Sequence, residues 1–363
     1  MKITISHRNL IKIISTIERV VSRNPSLPIL NNILIKTENG RLKLVATNLE
    51  IGISGLLGAK IEETGEIAVP ARIFSDFVNN IGEEKITLAS KNNILTINTG
   101  KYKTQILGFD TKDFPIIPKI KKEAFSVIPA KILKSGLISV FDSVSISETR
   151  PELSGVFVQF NDKNLILSAT DSFRLSERVI DLKNKNNNSF ILPRATVLEL
   201  IRFLGDINED VFVKYDDNQV SFSTETIEII SRLIGGNYPD YKKVIPEKYI
   251  SRILIKKNDL DKNVRLAGIF SSNVADIKLS CDKDKLIITA KNSDKGEIQI
   301  NTEAILKNDP FDISLNHHYL LDGLKIIPTE HVIIEYTGQG SPLVLRPEHE
   351  AKDLVYLIMP LRR

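Results

Sequence analysis

The sequence predicts an α+β fold of three topologically similar domains, each with two helices packed on antiparallel strands. Short motifs return once or twice along the chain at a nearly constant spacing, and helical and strand-like hydrophobic patterns return with them. Self-similarity at a fixed period indicates repeated structural units. A chain of 363 residues also exceeds one ordinary core and suits two or three domains.

The repeated motifs keep their order, with steps of 121 to 124 residues between copies. They are Val45–Asn48, repeated at Ser168–Asp171 and Thr289–Asn292; Ala68–Arg72, repeated at Ile191–Ala195 and, without its proline, at Ile313–Asn316; and Asp113–Pro115, repeated near Tyr238–Asp240. This spacing predicts domains at residues 1–121, 122–247 and 248–363, with seams near Lys119–Lys122 and Ile245–Ile250.

Each copy shows two helical stripes. In the first helix, Leu10, Ile13, Ile14 and Ile17 recur at helical spacing. Six helices are predicted on this basis, at residues 6–21, 71–82, 129–145, 194–204, 256–270 and 316–327.

Strands are predicted between the helices. Pairs such as Leu42/Leu44 and Leu165/Leu167 alternate with polar residues, and turn residues such as Asn39-Gly40 and Asn161-Asp162 separate the runs. Short turns imply hairpins and therefore antiparallel sheets, with the helices packed on one face. Residues 183–188 are predicted to form a solvated loop.

The charge is sorted by element. The six predicted helices carry 13 Lys or Arg and 7 Asp or Glu, whereas the whole chain has a net charge of only +4. Arg8, Lys12 and Arg19 share one face of the first helix, opposite its apolar stripe. Such a face suits phosphate contacts without base reading, although basic helix faces are also common as solvated surface.

Other features bound the function classes. No apolar run reaches the length of a membrane span, and the first residues alternate like a strand rather than a signal peptide. The single cysteine, Cys281, fits a reducing cytoplasm.

Signals for catalysis are weak. The five histidines form no zinc motif, and no phosphate-binding loop or nucleophile motif is present. His317 and His318 are expected to point to different sides of a helix. We therefore expect no catalytic residue, no metal and no cofactor.

Four segments together carry a family resemblance. They are Leu27–Leu30 leading to Ala46–Glu50, Val69–Arg72, Ala169–Leu175, and Pro239–Tyr241 with the C-terminal Met359–Arg362. In this order, over the full length, the chain resembles the bacterial DNA polymerase III β subunits, the β sliding clamps. The resemblance implies the DNA clamp fold, in which two three-domain subunits join head to tail into a ring.

The resemblance also implies a function. It predicts a homodimer that encircles double-stranded DNA without sequence preference and confers processivity in replication, hydrolysing nothing itself. Expected partners are the DNA polymerase III α subunit, an ATP-driven clamp loader and other proteins that carry a clamp-binding motif, with no membrane partner. A monomeric peptide-binding scaffold that does not encircle DNA remains the alternative, and an enzyme on this fold is a weaker third hypothesis.

By resemblance, partners insert a peptide into a groove between the second and third domains. The residues at matching positions are Leu153, Thr170, Ser172, Phe173, Arg174, Leu175, Pro239, Val244, Pro342, Leu357, Met359, Pro360 and Leu361. Taken singly, Leu153, Leu175 and Leu357 read equally as core. The apolar tail is the stronger signal, since termini are usually polar. Phe173 stands where many relatives have histidine, which bears on peptide preference.

Two further sets of residues are predicted. The DNA contacts are Arg8, Lys12, Arg19, Arg23, Arg72, Lys131, Lys134, Arg150, Arg194, Arg202 and Lys262. The subunit interface is expected to join Val78, Ile81 and Ile106 of the first domain to Ile269 and Phe270 of the third. Each interface residue alone could equally belong to its own domain's core.

Overall fold

A computed structural model describes residues 1–21, 27–118, 120, 125–147, 149–184, 187–205, 207–348 and 353–361. Within these ranges, one order of elements occurs three times: strand, helix, a run of strands, helix, three strands. This recurrence confirms the predicted three-copy α+β fold with antiparallel sheets. The seam at 119–122 lies largely outside the described residues, and so do parts of the 183–188 loop.

The elements of the first copy are β1 (Lys2–Ser6), α1 (His7–Ile17), β2 (Asn32–Glu38), β3 (Arg41–Thr47), β4 (Ile51–Leu57), β5 (Lys60–Glu63), β6 (Glu66–Pro70), α2 (Ala71–Asn80), β7 (Lys85–Lys91), β8 (Ile94–Asn98) and β9 (Lys103–Leu107). Those of the second are β10 (Ser126–Pro129), α3 (Ala130–Phe141), β11 (Gly155–Phe160), β12 (Asn164–Thr170), β13 (Arg174–Asp181), β14 (Asn188–Pro193), α4 (Arg194–Gly205), β15 (Asp210–Tyr215), β16 (Gln219–Ser223) and β17 (Ile227–Arg232).

Those of the third are β18 (Ser251–Lys256), α5 (Lys257–Ile269), β19 (Asp276–Asp282), β20 (Lys285–Asn292), β21 (Gly296–Glu303), β22 (Ile305–Asn308), β23 (Phe311–Asn316), α6 (His317–Ile326), β24 (His331–Tyr336), β25 (Leu343–Pro347) and β26 (Leu354–Ile358). All six predicted helices are present; α2 and α4 begin at the predicted residues, and the other ends differ by one to four residues because terminal turns are irregular.

The first compact unit comprises Met1–Lys131 and Leu198–Leu233. It contains a five-stranded sheet, ordered β5-β1-β7-β8-β9, and an eight-stranded sheet, ordered β10-β15-β16-β17-β4-β3-β2-β6. Helix α1 buries Leu10, Ile13, Ile14 and Ile17, as its hydrophobic stripe predicts. The helix lies close to the eight-stranded sheet at Gly55, where an added Cβ would clash with the Ile13 side chain.

The second compact unit comprises Ile132–Val197 and Ile234–Arg363. It contains a nine-stranded sheet, ordered β14-β11-β12-β13-β26-β25-β24-β18-β22, and a four-stranded sheet, ordered β21-β20-β19-β23. Helices α5 and α6 pack beside each other. The core contributed by the third copy draws on both helices and both sheets, through residues such as Leu260, Leu279, Leu324 and Ile334.

Each large sheet joins two successive copies. Strand β17 of the second copy pairs with β4 of the first, with Ile229 opposite Ile53. Strand β26 of the third copy pairs with β13 of the second, with Tyr356 opposite Ser176. In both cases the last strand of one copy pairs with the third strand after the first helix of the copy before it. We call this pairing the strand joint.

Candidate functional site

A tight turn precedes β13 at the second strand joint, the one in which β26 pairs with β13. The Thr170 hydroxyl donates to the Arg174 carbonyl at 2.7 Å, and the Asp171 carboxylate accepts the N–H groups of Phe173 and Arg174, both at 2.9 Å. Ser172 lies in the left-handed region, with φ of 77°. This geometry holds the Phe173 backbone while its ring is 60% exposed.

The C-terminal segment closes over this turn. The Met359 N–H donates to the Phe173 carbonyl at 2.8 Å, and the Leu361 N–H donates to the Ser314 carbonyl at 2.9 Å. Met359, Pro360 and Leu361 are half-buried. An apolar end of the chain is thus fixed beside an exposed phenylalanine.

The segment that leads into the third copy packs beside this turn, because Tyr241 lies in one buried cluster with Leu175 and Leu357. Tyr238 stacks on Phe157 with centroids 4.9 Å apart, and the buried Tyr241 hydroxyl donates to Glu177 at 2.5 Å. Burial and the adjacent Glu177 carboxylate raise the pKa of Tyr241 above its usual value. These contacts fix the segment, and Val244 at its end is 47% exposed.

Arg174 lies beneath the turn in a network that joins two copies. Its Nε donates to Asp171 at 2.9 Å, its Nη1 donates to Asp322 of α6, and its guanidinium covers the Tyr319 ring at 4.6 Å. Burial lowers the pKa of Arg174, but Tyr356, Asp322 and Asp171 outweigh it and raise that pKa overall. The sequence did not single out Asp322, Tyr319 or Tyr356, since no local motif connects them with position 174.

The predicted groove residues separate by exposure. Ser172, Phe173 and Val244 are exposed, and Thr170, Arg174, Pro239 and the tail are half-buried. Leu153, Leu175, Pro342 and Leu357 are buried, at 2%, 4% and 1% exposure for the three leucines. Leu175 and Leu357 are register partners within a cluster that contains Tyr241. These four residues are core beneath the turn and present little surface in this structure; their assignment to the groove stays a prediction.

The first strand joint has the same turn with different side chains. The Thr47 hydroxyl donates to the Ile51 carbonyl at 2.9 Å, Leu49 has φ of 77°, and the Arg232 N–H donates to the Glu50 carbonyl at 2.9 Å. Glu50 and Arg232 occupy the positions that Phe173 and Met359 hold at the second joint. The repeated backbone therefore carries a charged rim at one joint and an apolar rim at the other.

Most predicted DNA-contact residues lie on exposed helix surface. Arg8, Lys12, Arg72, Lys131, Arg202 and Lys262 are exposed on helices, Arg19 is exposed in the short 3₁₀ turn Glu18–Val20, and Arg150 is exposed in a loop. Some of these cations have acidic neighbours: Arg202 contacts Glu199 at 2.6 Å and Arg150 contacts Glu152 at 3.0 Å. Arg23 lies outside the described residues.

Two of the cations differ from that expectation. Lys134 is half-buried on α3. The Arg194 guanidinium covers the Phe141 ring at 4.6 Å, and its Nε is buried without a hydrogen-bond partner. Arg194 therefore covers apolar surface rather than extending freely from the start of α4.

The predicted interface residues are placed unequally. Val78, Ile81 and Ile106 are at most 5% exposed and belong to the core of their own copy, so they present little surface to a second subunit; their assignment to the interface stays a prediction. Ile269 is 60% exposed and Phe270 is half-buried at the end of α5. On the same first-copy elements, Ile73 and Leu107 are exposed instead, at 56% and 74%. An alternating pattern alone did not identify which side of β9 faces inward.

The described residues contain no group of three or more His, Cys, Asp or Glu that could hold a metal ion. The expectation for His317 and His318 was wrong, because their rings lie 4.0 Å apart at the start of α6. Cys281 is buried, and burial raises its pKa to about 11, so its thiol is a poor nucleophile. No helix in the described ranges has the length and apolar character of a membrane span.

Three copies of one α/β unit, joined through continuous sheets and carrying basic helix surfaces, define the architecture of a DNA clamp. Family models agree with this class: the N-terminal, central and C-terminal domains of the DNA polymerase III beta subunit match residues 1–118, 127–240 and 242–362. The chain belongs to the DNA polymerase III beta subunit family, the bacterial sliding clamps.

Individual relatives agree over the full length. The beta sliding clamps of Staphylococcus epidermidis and Staphylococcus aureus are each 29% identical over 100% of this chain and 99% of their own. The DNA polymerase sliding clamp of Bacillus subtilis superposes with a TM-score of 0.95 at 26% identity, covering 100% of this chain and 99% of that one.

Proposed function

We propose that this chain is a DNA sliding clamp: two copies close into a ring around duplex DNA and tether the replicative polymerase. The observation that carries the proposal is the repeated strand joint. The third copy pairs its last strand with the second, and the second pairs its last strand with the first. The strands that have no such partner within the chain are β9 of the first copy and β21 of the third, and each is an edge strand of its described sheet.

These two edges complement each other between subunits. In the two internal joints, β17 pairs with β4 and β26 pairs with β13. Strand β9 is the last strand of the first copy and so corresponds to β17 and β26. Strand β21 is the strand of the third copy that corresponds to β4 and β13. Pairing β9 of one subunit with β21 of another repeats the internal joint and is heterologous, so it closes only if the rotation divides the circle. Two subunits with three copies each supply six such joints. The exposed Leu107 and Ile269 supply apolar surface at these ends.

The charge distribution supports sequence-independent DNA contact. Arg8 and Lys12 project from α1 on the side away from its buried stripe, and Lys131, Arg202 and Lys262 are exposed on three other helices. Long flexible cations on rigid helices can contact phosphates without reading bases. Weak contacts of this kind permit sliding, and topology alone retains a closed ring on a closed circle.

The groove at the second joint supports partner binding. Phe173, Val244 and Met359 offer apolar surface around a turn that is fixed by backbone hydrogen bonds. Apolar anchors of a short peptide fit such a preformed rim, and Met359 can adapt to several of them. We infer that the polymerase III α subunit, a clamp loader and other motif-bearing proteins share this site, that the clamp itself hydrolyses nothing, and that it works in the cytoplasm.

The ring is tested by topology. The clamp is loaded onto nicked circular DNA with a clamp loader and ATP, and half of the sample is then linearised. A ring stays on the circle and is lost from the linear form. Equal loss from both forms contradicts encirclement and favours a monomeric peptide-binding scaffold, which light scattering would then show as a monomer.

A further inference from the structure

Phe173 is an exposed ring on a fixed backbone. Among the described residues, no aromatic side chain is more exposed than its 60%. Its N–H donates to Asp171, its carbonyl accepts from Met359, and the preceding Ser172 holds a left-handed conformation. A ring displayed in this way binds with little loss of conformational entropy.

Tyr319 extends this ring into a wider surface. The two rings are nearly parallel, with an angle of 19° and centroids 6.4 Å apart. The Arg174 guanidinium covers Tyr319 at 4.6 Å and fixes its position. Phe173 and Tyr319 together form what we call the aromatic platform.

The charge around the platform is unbalanced. Arg174 is one cation that bonds to two carboxylates, those of Asp171 and Asp322. Asp322 retains 33% side-chain exposure, while the neighbouring Lys325 is paired with Asp142 at 2.7 Å. Among the described residues, these five side chains therefore carry one excess negative charge beside the aromatic rings.

We propose that the aromatic platform binds a cationic side chain of the partner peptide, arginine best, beside the peptide's apolar anchors. This inference rests on the proposed peptide groove and names a specificity within it. Ring faces attract cations, and the flat guanidinium can stack on both rings while the excess carboxylate charge adds attraction. An uncharged group of the same shape gains the stacking alone.

Citrulline makes the test specific, because it has nearly the shape of arginine without the charge. Fluorescein-labelled peptides with adjacent leucine and phenylalanine anchors carry arginine or citrulline at each flanking position in turn, and fluorescence polarisation gives each Kd. At one position or more we expect arginine to bind about two- to fivefold tighter. Phe173→Leu should reduce that advantage, since Tyr319 and the carboxylates remain, while still binding the citrulline peptide.

The control variant is Phe212→Leu, which changes an exposed ring of β15 outside the groove and should retain the full preference. Circular dichroism verifies that each variant is folded. Equal affinity of arginine and citrulline peptides at every position overturns the platform but leaves the groove intact, and so does a preference that is undiminished in Phe173→Leu. Failure of every peptide to bind removes the groove and this inference together.

Discussion

The Arg174 guanidinium of β13 donates a hydrogen bond to the Asp322 carboxylate of α6, and this side-chain pair links the second copy to the third. Arg174 is 12% exposed and also bonds to Asp171. A charged group with this much burial depends on its partners, because water cannot replace them.

We expect Asp322→Asn to lower the free energy of unfolding by about 1.5–3 kcal/mol, the range for a hydrogen bond to a charged group. Urea unfolding followed by circular dichroism measures it, since the chain contains no tryptophan. Asp240→Asn is the matched control, because Asp240 pairs with Lys243 on exposed surface and should change stability little. Equal effects of the two changes would contradict the importance of the Arg174 pair.

Much of the fold could be predicted because the same hydrophobic pattern occurs three times in the sequence. The stripe Leu10, Ile13, Ile14 and Ile17 predicted α1 with its buried face, and Pro70 and Pro193 marked the starts of α2 and α4. Where a copy had lost its motif, as at Asn316, the helix was still predicted from apolar spacing.

The site was less predictable because exposure depends on the third dimension. Leu175 and Phe173 are two residues apart and both apolar, yet one is core and the other is exposed. The left-handed turn at Ser172 and the bond from Met359 hold the Phe173 backbone where its side chain faces solvent. Ion pairs such as Arg174–Asp322 span 148 residues, and no local pattern reports them.

The proposed DNA contacts predict a salt dependence. Lys12→Ala removes one exposed cation of α1, and we expect the slope of log affinity against log salt to fall in magnitude by about 0.9 if Lys12 meets one phosphate. Fluorescence anisotropy with a duplex oligonucleotide at several salt concentrations measures the slope. Lys285→Ala, an exposed lysine of β20, is the control and should leave the slope unchanged.

The proposed subunit contact predicts a change of mass. A carboxylate at Ile269 would be buried without a partner in the dimer, so Ile269→Asp should give monomers at micromolar concentration in light scattering. Ile305→Asp is a close match for exposure, at 59% against 60%, and lies on β22 away from the proposed contact. A dimer that survives Ile269→Asp contradicts the role of that residue.

His317 predicts a pH dependence of stability. The ring is 8% exposed, packs against Gly268 and has Nδ1 2.9 Å from the Ala275 carbonyl. Burial is the main cause that lowers its pKa, and the adjacent His318 adds to it. The unfolded chain therefore binds a proton more readily than the folded one, so this contribution is complete above the ordinary histidine pKa of about 6.5 and is lost as pH falls through the lowered value.

Urea unfolding of the wild type below pH 6.5 should accordingly show a loss of stability that His317→Gln reduces. Because His318 is a lesser cause of the shift, His318→Gln should reduce the loss only in part. Identical pH profiles for wild type and His317→Gln would assign the acid sensitivity to other groups.

The similarity of the two turns predicts the outcome of exchanging their side chains. At the first joint Glu50 and Arg232 occupy the backbone positions that Phe173 and Met359 occupy at the second, and the N–H to carbonyl bonds agree at 2.9 and 2.8 Å. The double variant Phe173→Glu with Met359→Arg should therefore fold normally, since the same backbone already accepts those side chains.

This double variant replaces the apolar rim by a charged one, so we expect peptide affinity to fall at least tenfold, because two apolar anchor contacts are lost. Polarisation with the citrulline peptide measures the loss without involving the cation, and Glu50→Gln with an intact second turn is the control. Peptide binding that survives the exchange would place the partner site elsewhere on the chain.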